Sequence, residues 1–168
     1  MKTTRLLLPF THGVHTLALE YGVMFAKSCN ATLVPVSLLP VSKESRGPRL
    51  EHIQQSQDFL VAVQHKAARH SVPTEPVELF TSDVVGSIKA ALRDMHCDGI
   101  LLFMRDGDGI LLHVNEVEHV MTGVASKRHI IHLPSNKKAN SAQALFKRLS
   151  GFLAGQAKSQ AVSKVGLS

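Results

Sequence analysis

Five apolar runs of strand length, with stretches of three-to-four-residue periodicity between them, constrain this chain more than any other feature. The runs are Arg5 to Pro9, "NATLVPVSLLPV" from Asn30, "VELF" from Val77, "GILLFM" from Gly99 and "HIIHL" from His129. Between them Leu17, Tyr21, Met24, Phe25 and Ser28 fall at helical spacing, and Leu50 to His70 reads as a long helix with Ile53, Leu60, Gln64 and Ala67 towards one side. A third helix carries Val84, Ile88, Ala91, Leu92 and Met95 behind a "TSD" cap, and a fourth carries Val114, Val117, Val120, Met121 and Val124. "SKESRGPR", with its Gly and Pro, reads as a loop. Strict alternation predicts a parallel sheet with helices on both faces, because each right-handed crossover returns the chain to the same end of the sheet. In such sheets ligands sit beyond the carboxyl ends of the strands, where the strand order reverses. That rule points to "FTHG" after the first strand and "RDGDG" after the fourth.

A chain of 168 residues, 44% hydrophobic, can bury one core of ordinary size, so one α/β domain is expected over residues 1–134. The formal charge of +6 does not spread over that domain. Residues 1–134 hold 13 basic and 13 acidic side chains, while residues 135–168 hold Lys137, Lys138, Lys147, Arg148, Lys158 and Lys164 and no acid. This basic extension reads as solubilising, and no face specific for nucleic acid follows. Within it, residues 141–155 place Ala142, Leu145, Phe146, Leu149, Phe152 and Leu153 along one side of an amphipathic helix. Docking on the domain or on a dimer mate is favoured over a membrane surface or another protein partner. Cys29 and Cys97 sit in no metal or disulfide pattern, and no run is long enough for a signal core or a membrane span. Both features point to the cytoplasm.

Two stretches carry a family resemblance. "LALEYGVMFAKSCNATLVPVSLL" resembles the first helix and second strand of the universal stress protein family, and "TSDVVGSIKAALRDMHCDGILLFM" resembles its third helix and fourth strand. The likeness runs from about Arg5 to Pro134. It implies a flavodoxin-like sheet of five parallel strands in the order 3-2-1-4-5 and a homodimer through the last strand, here Ile130, Ile131, His132 and Leu133. It also implies a site that in some members holds ATP, with an acidic residue after the first strand and a Gly-x2-Gly-x9-Gly-Ser/Thr loop after the fourth. This chain departs at each point. Phe10 and Thr11 stand where the acid belongs, Gly107 and Gly109 are one residue apart, His119 lies ten positions past Gly109, and Asn115 and Glu116 fall near the expected Gly-Ser. Asp106, Asp108 and Glu116 bring negative charge that Arg105 alone does not cancel. The candidate pocket residues are Phe10, Thr11, His12, Val36, Met104, Arg105, Gly107, Gly109 and Glu116, with no tight ATP binding and no cofactor expected. Gly107 and Gly109 read first as turn residues needing positive φ.

The other chemical motifs are weak. His12 and His15 keep the three-residue separation of the His-x-Gly-His motif of nucleotidylyltransferases, but Gly13 is one place early and no Ser/Thr-rich partner motif with a Lys follows. His12 reads otherwise as a residue at the pocket mouth and His15 as one on an exposed helical turn. His65 and His70 diverge by roughly 140° on a helix, and His129 and His132 lie on opposite faces of a strand, so no metal site is expected. There is no GxSxG or HExxH. The sequence therefore predicts a dimeric, non-catalytic binding or signalling module of the stress response, with an unidentified protein partner. The alternatives are a nucleotide-binding switch on the same fold and a nucleotidyl-transfer enzyme.

Overall fold

The computed structural model describes residues 2–44 and 47–135 and the backbone of Lys164–Val165. The elements are β1 (Arg5–Phe10), α1 (Thr16–Ser28), β2 (Thr32–Pro40), α2 (Leu50–Arg69), β3 (Val77–Thr81), α3 (Val84–Asp94), β4 (Gly99–Arg105), β5 (Asp108–Ile110), α4 (Val114–Gly123), β6 (Lys127–His132) and β7 (Lys164–Val165). The sheet runs β3-β2-β1-β4-β6-β7, and β5 pairs with β4. Every pairing is parallel except β4 with β5. The five long strands thus take the expected order, β6 being the fifth. The order reverses between β1 and β4, which puts the crevice where "FTHG" and "RDGDG" meet.

Two short strands were not expected. β5 exists because Asp106 (φ 51°) and Gly107 (φ 84°) are consecutive left-handed residues, the two-residue turn that an Asp-Gly pair favours in hairpins. β7 pairs Lys164 and Val165 with Ile130 and Ile131 along the outer edge of β6. The amphipathic helix expected at 141–155 lies outside the described residues.

Side-chain alternation along the strands feeds two cores. Leu6, Leu8, Phe10, Leu33, Leu101 and Phe103 face α1 and α2, where they bury Leu19, Phe59, Val63 and the chain's single tyrosine, Tyr21. Leu7, Val34, Val36, Leu38, Ile100 and Leu102 face α3 and α4 and bury Ile88, Leu92, Val117 and Val120. At about 2 kcal/mol for each large apolar side chain taken from water, these two layers supply most of what holds the domain together. The stripe read for α2 is corrected by the structure. Ser56, Phe59, Val63 and Ala67 are buried and Gln64 is exposed, because Phe59 stacks flat on Phe10 and Ser56 reaches Glu78, and these contacts set the rotation of a largely polar helix.

The amino-terminal end of the sheet is closed by charge. Arg5 donates through Nε to Met95 O (2.7 Å) and through both terminal nitrogens to the two oxygens of Glu75 (2.6 and 2.5 Å). Asp98 accepts from the Arg5 backbone (2.9 Å) and from Lys2 Nζ (3.0 Å). On one flank Glu20 of α1 accepts from Lys66 of α2 and from His70, the residue that caps that helix, each at 3.0 Å. Cys29 and Cys97 are both free thiols, and burial pushes the Cys97 thiol up to about 11. Among the described residues no helix is long and apolar enough to cross a membrane.

Candidate functional site

The crevice at the carboxyl ends of β1 and β4 begins with Phe10, the last residue of β1. Its ring is 1% exposed and stacks on Phe59 with centroids 4.2 Å apart and planes 6° from parallel. The chain then leaves the sheet, and its next two amides turn towards one oxygen. Thr11 N–H (2.8 Å) and His12 N–H (3.4 Å) both donate to Leu111 O, and the Thr11 hydroxyl lies 3.3 Å from it. Leu111 has φ 70°, a left-handed conformation that costs a non-glycine residue about 1 kcal/mol or more. Its buried side chain in the α1–α2 core holds it there.

The first turn of α4 closes the same space from the other side. Glu116 Oε2 accepts from His113 N–H (2.8 Å) and from the Thr11 hydroxyl (3.1 Å). A carboxylate here satisfies an orphan amide and complements the helix dipole. Those are also the features that make a helix start attractive to phosphate, so the chain's own anion stands in that place. Across the crevice the His12 and His113 rings stack at 3.7 Å, 10° from parallel, and His12 Nδ1 lies 3.0 Å from Thr11 Oγ1. Burial lowers the His12 pKa below its ordinary 6.5, with His113 adding to the shift and Glu116 opposing it, so this ring is neutral at neutral pH.

A second group of contacts lies where β4 passes the start of α1. His15 is the cap of α1, with extended backbone (φ −122°, ψ 103°), and its Nδ1 accepts from Ala18 N–H at 3.2 Å. Its Nε2 lies 3.1 Å from Arg105 Nη1. Burial lowers the His15 pKa, and the Arg105 charge lowers it further. Arg105 is directly opposite Asp108 in the β4–β5 hairpin, yet among the described residues it forms no ion pair.

Of the pocket residues predicted from sequence, Phe10, Thr11, His12 and Glu116 meet in the crevice and Arg105 stands at its edge. Gly107 provides the hairpin turn, whereas Gly109 lacks positive φ and is needed for space, since a Cβ there would fall 2.3 Å from Leu112 O. Val36 does not join them; it is fully buried in the α3–α4 core, against which Met104 packs. Ile131 and Leu133 are buried and His132 is exposed, and the edge of Ile130 and Ile131 pairs with β7. His15 is a half-buried cap, not a residue on an exposed turn. Sequence reasoning missed Phe59, Leu111 and His113, whose roles depend on partners far away in the chain. Among the described residues no three His, Cys, Asp or Glu side chains group to hold a metal.

No protein-family model matches the chain, and no curated protein does. Solved structures do. A universal stress protein family member from Burkholderia pseudomallei is 18% identical, with 76% of this chain and 95% of that one covered at a TM-score of 0.60. The universal stress protein of Archaeoglobus fulgidus in complex with dAMP is 12% identical over 79% of this chain and 98% of that one, TM-score 0.59. An Arabidopsis thaliana member with AMP bound is 11% identical over 84% and 98%, TM-score 0.56. At these identities the likeness establishes the fold.

Proposed function

We propose that this chain, which has the universal stress protein fold, is a non-catalytic binding or signalling module of the stress response whose crevice is closed to ATP by its own side chains. The observation that carries this reading is Glu116, whose carboxylate bridges the end of β1 and the start of α4. A triphosphate at this helix start would compete with that carboxylate for the same donors and be repelled by its charge. Leu111 O already accepts the Thr11 and His12 amides, so neither is free to bind a ligand oxygen.

The surroundings of the two histidines at the crevice favour a non-catalytic role. His12 and His15 are tied to different partners and both are lowered towards neutrality, whereas a transferring phosphoryl group calls for positive charge. Action in the cytoplasm as a homodimer through β6 belongs to the same proposal, with β7 displaced from the edge as the second copy pairs.

The dAMP and AMP complexes of the solved neighbours favour a second reading, a nucleoside monophosphate switch. Calorimetric titration of nucleotide-stripped full-length protein with ATP and with AMP, with and without magnesium, separates the two. Absence of saturable heat is the expected result. Micromolar ATP binding overturns the closed crevice, and saturable AMP binding alone moves the assignment to the switch.

A further inference from the structure

The ring of His15 cannot satisfy its contacts with the Ala18 amide and with Arg105 at the same time. A neutral imidazole has one accepting nitrogen and one N–H. In the tautomer whose Nδ1 accepts the Ala18 amide hydrogen that caps α1, the ring proton is on Nε2. Nε2 lies 3.1 Å from Arg105 Nη1, and a guanidinium has only donors. In the other tautomer Nε2 accepts from Arg105 and the cap is lost, and in the protonated ring both contacts set donor against donor. As long as the cap is kept, two donors face each other at a half-buried position, one of them carrying full positive charge.

No acidic side chain among the described residues compensates that charge. Asp108, directly opposite in the hairpin, and its neighbour Asp106 are exposed, and Arg105 turns away from both towards His15. A half-buried guanidinium without an acceptor is unfavourable, and a negatively charged oxygen beside both nitrogens removes the conflict by accepting from Nε2–H and from the guanidinium together. We propose that Arg105 and His15 form a binding site for a small tetrahedral oxyanion, namely phosphate, free or as the terminal group of a small monoester. Phosphate suits the pair better than a carboxylate because its several oxygens can engage the guanidinium fork and the imidazole N–H at once. The site is separate from the start of α4, where Glu116 already supplies the anion, and it stands whether or not the closed-crevice reading does.

The test is phosphorus NMR of the full-length protein titrated with inorganic phosphate and, in parallel, with glycerol phosphate. Saturable broadening with Kd of about 1 mM or tighter is expected for at least one probe, and the better one identifies the source. Arg105→Gln is expected to weaken binding about tenfold or more, and Arg105→Lys, which keeps the charge and loses the fork, by a smaller factor. Asp108→Asn is expected to strengthen it. Absence of saturable binding overturns the site. Binding unchanged in Arg105→Gln lies elsewhere on the chain, such as the basic residues of 135–168, and also overturns it. Should Arg105→Gln fail to fold by circular dichroism, Arg105→Lys decides: weakened binding supports the site and unchanged binding refutes it.

Discussion

Arg5 and Arg105 stand at opposite ends of adjacent parallel strands, β1 and β4, and meet opposite surroundings. Arg5, at the amino-terminal edge, gives three hydrogen bonds to a carbonyl and a carboxylate and locks β1 to the segments before β3 and β4. Arg105, at the carboxyl-terminal edge, faces an imidazole nitrogen and no acid. At one end of the sheet the arginine is matched and contributes stability; at the other the arginine has no acid beside it, which is the condition for recognising something outside the chain.

The largest expected effect bears on the hairpin that places Arg105. Gly109→Ala should cost about 3 kcal/mol in urea unfolding, because its Cβ would collide with the Leu112 carbonyl and the backbone of His113 and Val114. A loss under about 1 kcal/mol would mean that the hairpin moves freely and that its aim carries no meaning. Arg5→Ala should cost about 2 kcal/mol, since it strips three bonds and leaves Met95 O and Glu75 without a partner. Glu116→Gln should cost about 1 kcal/mol, as the cap keeps an acceptor and loses its charge against the helix dipole.

Acid should separate the two ends by pH. His12 and His15 have folded pKa values below 6.5, so the unfolded chain binds more protons than the folded one. Their stability is complete above 6.5 and drains as the pH falls through the folded values, and half-buried His129, beside Gly99 nearer the other end, adds to the same window. Asp98 and Glu75 are also lowered, from 3.8 and 4.5, so the ion pairs of the amino-terminal end give way only at more acidic pH. Urea midpoints should fall between pH 6.5 and the carboxylate range, and the His12→Asn, His15→Asn double variant should flatten that fall. The smallest effect sharpens the contrast most. Arg105→Ala should change stability by under about 0.5 kcal/mol, in either direction, against the loss for Arg5→Ala.

The strands were legible because parallel strands covered on both faces need unbroken Leu and Val, and few other arrangements tolerate such runs. The rotation of α2 was not, because its buried stripe includes Ser56 and Phe59, leaves Leu60 at its margin and excludes Gln64, a choice made by the Phe10 ring and not by hydropathy. In the crevice the departure of Phe10 and Thr11 from an acid was visible residue by residue. The β4–β5 hairpin had a usable signal in Asp106-Gly107. His15 and His113 gave none: a histidine cap depends on one tautomer, and the His113 stack joins residues about a hundred positions apart.

Tyr21, sealed in the α1–α2 core, is the only tyrosine in a chain without tryptophan. The protein is consequently almost transparent in the near ultraviolet, where adenine absorbs strongly. Nucleotide carried through purification would dominate the absorption spectrum, so the first sample off a column already reports on the crevice. The same ring, with no second fluorophore to mask it, turns intrinsic emission into a single-site gauge of how tightly α1 sits on the sheet.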